Sequence, residues 1–330
     1  MNIVLLSALV ILNIIFCLNY NLIAKKINIF DHPDRQLKIH KKKTPLLGGI
    51  FIISNILIII FFDQFIDEIF NFEKKREIFA FSIFTTFFFL IGLYDDKFKI
   101  SFSIRIILGV LLTLMVLLIN QNLRIEYLQF SFYEHEILLR NFTIFFSLFS
   151  ILSFVHATNM FDGINSQLLT FYIILNTFLF YNSNFNEIYL FLYPTIITLF
   201  ILNFNGRIFL GDSGSYSLGA LYSFFLIYEY TTFQNIVFAD IILILVLIPG
   251  VELVRLSIYR LLKGRNIFSG DLEHLHHLLI NKFGQLKTNF IVSLMIIIPI
   301  SLMTIVKTNL HFIFLTSLLF YFMIIYFLKK

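Results

Sequence analysis

Charge is scarce in this sequence. Only 14% of its 330 residues are Asp, Glu, Lys or Arg, against 58% hydrophobic residues and 44 Phe. A soluble domain carries about 25% charged residues, so an ordinary water-soluble fold is excluded, and so apolar a chain cannot stay disordered. Cysteine is nearly absent. Cys17 is the single one and lies in the first apolar run, which rules out a disulfide framework. That run has no basic segment before it and no small-residue cleavage site after it, so it is expected to be a retained helix rather than a signal peptide. No internal repeat is visible, which weighs against a transporter built from inverted repeats.

What is present is a series of about eleven apolar runs, at 2–24, 46–66, 77–94, 104–120, 142–155, 167–181, 188–204, 216–228, 236–256, 288–305 and 311–328. Each approaches the ~20 residues that cross a ~30 Å hydrocarbon core as a helix. An all-α, polytopic integral membrane protein follows, read as a single transmembrane domain over residues 1–330. Of the 25 Lys and Arg, 19 fall in the tail and loops of one side and 6 on the other. The positive-inside rule then places the N-terminus outside and the C-terminus in the cytoplasm, and it explains the net charge of +5 without nucleic-acid binding.

Polar residues concentrate on the same inner side, in HKKKTPLLGG (40–49), GLYDDKFK (92–99), HATNMFDGIN (156–165), NGRIFLGDSGS (205–215) and SGDLEHLHH (269–277). Two runs separate successive clusters, so five loops (25–45, 95–103, 156–166, 205–215 and 257–287) are expected to form one composite site. Asp95 and Lys99 have the i, i+4 spacing of a helical pair able to hold a cation or a phosphate. Asp96, Asp162 and Asp212 add the carboxylates that a hard cation such as Mg²⁺ prefers. GDSG in a membrane loop is not the protease strip, which needs a different fold. Its glycines are expected to let backbone approach a phosphate, with Ser213 and Ser215 as donors. Zinc on His274, His276 and His277 is disfavoured, since adjacent histidines rarely share an ion and no cysteine assists. Donation to phosphate or sugar oxygens is preferred for them.

As an ordered set these strings resemble the polyprenyl-phosphate N-acetylhexosamine-1-phosphate transferases, in particular the bacterial UDP-GlcNAc:undecaprenyl-phosphate branch related to the phospho-MurNAc-pentapeptide translocase. The matching strings are DHPDRQLKIHKKKTPLLGG, GLYDDKFKIS, ATNMFDGIN, FLGDSGS and GRNIFSGDLEHLHH. The resemblance implies transfer of a sugar 1-phosphate from a UDP-sugar to polyprenyl phosphate with release of UMP, in the bacterial cytoplasmic membrane, at the start of cell-envelope glycan synthesis. It implies Mg²⁺, with Mn²⁺ as a substitute, and leaves room for a homodimer.

By the same resemblance Asp212 is the principal metal ligand, with Asp95 as a second ligand that also acts on the lipid phosphate. Asp95, Asp96, Lys99, His276 and His277 form the catalytic set. Lys43, Asn159, Asp162, Asn165, Phe209, His274 and Leu272 bind substrate, with Phe209 stacking on uracil and Asp162 accepting from its imide. His156, Asn165 and Leu272 depart from the family pattern. Leu272 stands where UDP-GlcNAc enzymes commonly have Arg, so it is expected to select a less polar sugar. A cation-coupled transporter and a polyprenyl-pyrophosphate phosphatase are the competing readings.

Overall fold

The computed structural model describes residues 2–33, 42–65, 69–70, 75–183, 187–267, 272–306 and 309–330. Its helices are α1 (Asn2–Ile27), α2 (Gly48–Asp63), α3 (Lys75–Phe98), α4 (Phe102–Ile119), α5 (Thr143–Phe161), α6 (Gln167–Asn182) and α7 (Glu187–Phe204). They continue with α8 (Gly211–Thr231), α9 (Ala239–Leu245), α10 (Leu247–Leu262), α11 (Leu275–Phe283), α12 (Gln285–Val306) and α13 (Leu310–Lys329). Besides two 3₁₀ turns (Gln121–Leu123 and Arg140–Phe142), two short antiparallel ribbons are present, β1 (Phe30–Asp31) with β2 (Thr44–Pro45), and β3 (Tyr127–Leu128) with β4 (Ile137–Leu138). The all-α expectation is borne out.

Every apolar run is helical, as a chain must be where hydrocarbon offers its backbone no partner. Among the described residues seven helices are long and apolar enough to cross a membrane: α1, α3, α4, α5, α7, α12 and α13. The pair α9 and α10, bent by 77°, makes an eighth if taken as one span. Large side chains such as Leu18, Leu111, Phe145 and Phe312 remain exposed on these helices, a surface suited to lipid rather than water. The chain is a multi-pass membrane protein.

The centre of the bundle is α8, whose residues from Ser213 to Tyr230 are all buried. It packs against α2, α3 and α5. Small residues allow this: a Cβ added to Gly92 of α3 would lie 2.4 Å from the Asp212 carbonyl oxygen. Deeper in, aromatic rings fill the contact, with Phe224 stacked on Tyr228 at 4.8 Å and edge-to-face with Phe81 at 5.2 Å. Being enclosed by protein, α8 carries serines and glycines that a lipid-facing helix would not. The close approach also sets the N-terminus of α8 beside the C-termini of α3 and α5, where the polar strings lie.

Candidate active site

At that end of the bundle a cavity of about 460 Å³ opens, and residues from all five polar segments line it. They include Asp31, Asp96 and Lys99, Asn159 and Asp162, Phe209 and Asp212, and His277. The composite arrangement is built by specific ties. The main chain of Phe209 exchanges hydrogen bonds with the segment before α2, its N–H donating to Pro45 O at 2.9 Å and its carbonyl accepting from Gly48 N at 3.2 Å. The 162–166 loop is held from two other helices: Asn203 Oδ1 accepts from Ser166 N, and Asn289 Nδ2 donates to Asn165 O at 2.9 Å.

The acids divide by partner. Asp96 caps the N-terminus of α8, accepting from Asp212 N at 2.9 Å and Ser213 N at 3.0 Å, where two otherwise orphaned amides and the helix dipole favour a carboxylate. Gly211 precedes this cap at φ +69°, and a Cβ there would come within 2.6 Å of Asp96 Oδ2. Asp96 is thus the anchor that orients Asp212, although it also touches the cavity. Asp212 itself lines the cavity and accepts from Asn159 Nδ2 at 2.7 Å.

Asp95 turns the other way and does not line the cavity. The expected i, i+4 pair with Lys99 does not form, because α3 ends at Phe98 and Lys99 adopts a left-handed backbone at φ 54°. Lys99 lines the cavity instead. The partner of Asp95 is Arg105, ten residues on, with Nη1 2.7 Å from Asp95 Oδ2 and 3.5 Å from Asp212 Oδ2. Arg105 was not among the expected site residues. Its signal was faint, a lone cation in the first turn of an apolar helix capped by Ser101. On the same side His156 packs its ring against Phe102 at 5.4 Å and Tyr216 at 5.8 Å.

Several expectations are corrected. Ser213 is fully buried against Gly49 of α2, and the Ser215 hydroxyl accepts from Asn159 at 2.8 Å, so neither is placed as a phosphate donor. Of the two glycines of that string, Gly214 serves helix contact, an added Cβ falling 3.1 Å from Gly49 N, while Gly211 lines the cavity. Of the three histidines only His277 lines the cavity. His276 is 2% exposed and lies over Gly163, where a Cβ would meet its ring at 2.0 Å. Burial, and the neighbouring His274 and His277, hold His276 well below the usual imidazole range and therefore neutral. His274 stacks on His276 at 5.1 Å and lies 3.4 Å from Arg260 Nη2.

Leu272 is 49% exposed and Lys43 sits over the Phe30 ring at 4.1 Å. Neither lines the cavity. Lys41 and Asp271 fall outside the described residues. Asp162, at the end of α5, is pushed up to about 8 by burial first and then by Asp212 and Asp96. At neutral pH it holds its proton, and so can donate to a bound base as well as accept, where the resemblance implies an acceptor alone.

Among the described residues no group of three or more His, Cys, Asp or Glu side chains is placed to hold a metal ion; the ion that the resemblance implies is Mg²⁺. That ion is commonly held by one or two carboxylates together with substrate phosphates. Asp212, with Asp95 across the shared Arg105, fits that donor set.

Residues 78–230 match the family described as glycosyl transferase family 4. A protein named undecaprenyl-phosphate alpha-N-acetylglucosaminyl 1-phosphate transferase from Escherichia coli O157:H7 is 27% identical over 269 residues, covering 78% of this chain and 70% of that one. The protein of the same name from Thermotoga maritima is 28% identical over 274 residues, covering 82% and 79%. That from Yersinia pestis is 26% identical over 294 residues, covering 84% and 78%. The resemblance drawn from the motifs is borne out, and with it the reading of the chain as a transferase.

Proposed function

We propose that this relative of the glycosyl transferase family 4 enzymes moves a sugar 1-phosphate, of the N-acetylhexosamine type, from a UDP-sugar to a polyprenyl phosphate such as undecaprenyl phosphate. An oxygen of the lipid phosphate attacks the phosphorus that carries the sugar. The bond from that phosphorus to the bridging oxygen breaks, UMP leaves, and a pyrophosphate-linked lipid sugar remains.

The position of Asp212 carries this reading. On one side it faces the cavity with Asn159, Asp162, Phe209 and His277. On the other it meets Arg105 and Asp95, which do not line that cavity and which tie the end of α3 to the start of α4. A water-soluble donor and a membrane-bound acceptor need two such approaches to one reacting centre.

A phosphate monoester has its second pKa near ~6, so the acceptor is largely dianionic at pH 7 and needs little help from a base. The barrier lies in bringing it to an anionic diphosphate. Lys99 from the cavity and Arg105 from the other side offset that repulsion and orient the two phosphates, while Asp95 holds the Arg105 guanidinium and the incoming nucleophile in line. When bound at Asp212, Mg²⁺ would add neutralisation of the diphosphate. Phe209 stacks on the base, and Asp162 and Asn165 line its pocket.

In this reading the eleven helical runs are eleven crossings, with the N-terminus outside and the cavity on the cytoplasmic face of a bacterial inner membrane. The product begins a cell-envelope glycan such as an O-antigen or teichoic acid. The test is an assay of the purified protein with radiolabelled UDP-sugars and undecaprenyl phosphate. Lipid-linked label with stoichiometric UMP is expected. Release of inorganic phosphate without a UDP-sugar would make the protein a phosphatase instead.

A further inference from the structure

The histidine helix is short, and its orientation is set from outside itself. Helix α11 begins at Leu275 after His274, whose side chain makes no capping bond. Its first amide, Leu275 N, instead donates to Glu252 Oε1 of α10 at 2.7 Å. Glu252 is 2% exposed, and three further donors hold its carboxylate. Arg255 Nη2 reaches Oε1 at 2.8 Å, Arg255 Nε reaches Oε2 at 3.2 Å, and the Tyr321 hydroxyl of α13 donates to Oε2. Arg255 continues to the Glu273 carbonyl at 2.7 Å.

Helix α13 grips the segment at both flanks as well. Lys329 pairs with Glu273 at 2.7 Å, and Lys282 Nζ donates to Phe327 O at 3.2 Å. A carboxylate with this many donors, aimed at the first orphaned amide of a helix, is stabilising in the low-dielectric interior. It is costly to disturb, since the Leu275 amide and the Tyr321 hydroxyl would lose their acceptor in a buried site, while Arg255 would keep the Tyr321 oxygen at 2.7 Å and the Glu273 carbonyl.

We propose that Glu252 is a positioning residue for His277: clamped by Arg255 and Tyr321, its carboxylate fixes where α11 starts and so turns His277 toward the cavity and seats His276 on Gly163. The proposal rests on the transferase reading for its catalytic consequence. It extends the working frame of the site to α13, which begins 80 residues beyond the segment matched to the family. Neither Glu252 nor Tyr321 lines the cavity, so an effect on turnover passes through what they hold, and Glu252 bonds the first amide of the histidine helix. Small displacements suffice, because a shift of about 1 Å in a reacting group can cost ~10²-fold in rate.

Two measurements on the full-length protein in detergent test it, using Glu252→Ala, Glu252→Gln and Tyr321→Phe. The first needs no activity: carbethoxylation of His276 by diethyl pyrocarbonate, read by mass spectrometry, with the exposed His135 as internal control. Loosening α11 is expected to raise the His276 rate about tenfold in Glu252→Ala through local opening, less in Glu252→Gln, which keeps an acceptor for the Leu275 amide, and to leave His135 unchanged.

The second is the transfer assay on monodisperse protein. The kcat is expected to fall about 10²-fold in Glu252→Ala with donor KM changed less than about threefold, and to recover partly in Glu252→Gln. If Glu252→Ala does not fold, the same ordering between wild type, Glu252→Gln and Tyr321→Phe carries the test. An unchanged His276 rate overturns the clamp. A raised His276 rate with wild-type kcat overturns the positioning role. If wild type itself transfers no sugar phosphate, the transferase reading fails, while the carbethoxylation rates still decide whether Glu252 holds α11.

Discussion

The two ends of the bundle both bury acids, and they use them differently. At the far end Glu229 accepts from the Tyr189 hydroxyl at 2.5 Å and from Asn235 Nδ2 at 2.7 Å, Asp240 accepts from Ser131 N at 2.5 Å, and Glu77 accepts from Asn122 Nδ2 at 2.9 Å. None of these acids lines the cavity. At the near end Asp96 and Asp212 line the cavity, and Asp95 and Asp212 share one guanidinium. Burial of a carboxylate is therefore no mark of function in this molecule. What separates the two ends is open space beside the acids and a cation placed between them.

The sharpest way to break the contrast is Asp212→Asn. It removes the hard anionic ligand while keeping an acceptor for Asn159, and turnover is expected to fall by about 10³-fold or more with the protein still monodisperse. Chelation should abolish activity and Mg²⁺ restore it. Full activity in chelator would overturn the assignment of a cation to this end.

Next in size is Arg105→Ala. It leaves Asp95 and Asp212 facing each other without the shared charge, and about a 10²-fold loss of kcat/KM for the lipid acceptor is expected. Arg105→Lys, a point charge without the planar fork, should recover only part of it. Equal loss toward both substrates would show that Arg105 does not serve the acceptor side.

At the far end the expected effect is on stability alone. Glu229→Ala strands the Tyr189 hydroxyl and takes from the Asn235 amide its shorter bond, at a cost of about 1–3 kcal/mol for the buried hydroxyl left without a partner. It should lower the thermal midpoint while the folded fraction keeps kcat within about twofold. A selective loss of turnover would erase the distinction between the two ends.

Asp162 sharpens the comparison through pH. Its carboxyl, raised to about 8, is neutral at pH 7 and ionises above 8. The stability it lends the fold is fully present below the ordinary Asp value near ~3.9 and is lost as pH rises through about 8. UMP binding measured calorimetrically should weaken between pH 7 and 9 in wild type, as a new negative charge appears beside the nucleotide. It should stay flat in Asp162→Asn, which fixes the neutral form. Parallel profiles would remove Asp162 from the pocket. The smallest effect is expected at Leu272. Half-exposed and off the cavity, it should leave the ratio of kcat/KM for two UDP-sugars unchanged on substitution to Arg, the reverse of what the motif comparison suggested.

What the sequence by itself determined is local. Apolar runs must become helices where the backbone has only itself to bond, so the all-α class was legible from composition and spacing alone. The five polar strings were legible too, because a polar cluster repeated after every second run returns to one end of a bundle. Tertiary structure decided which member of each string does what. Asp95 and Asp96 are neighbours in the chain, yet the helical turn between them sends one to Arg105 and the other to the amides of α8, 116 and 117 residues away. His276 and His277 part in the same way, one onto Gly163 and one into the cavity. Such choices depend on how closely helices approach and on what each side chain meets across the gap, and no spacing within a single segment encodes that.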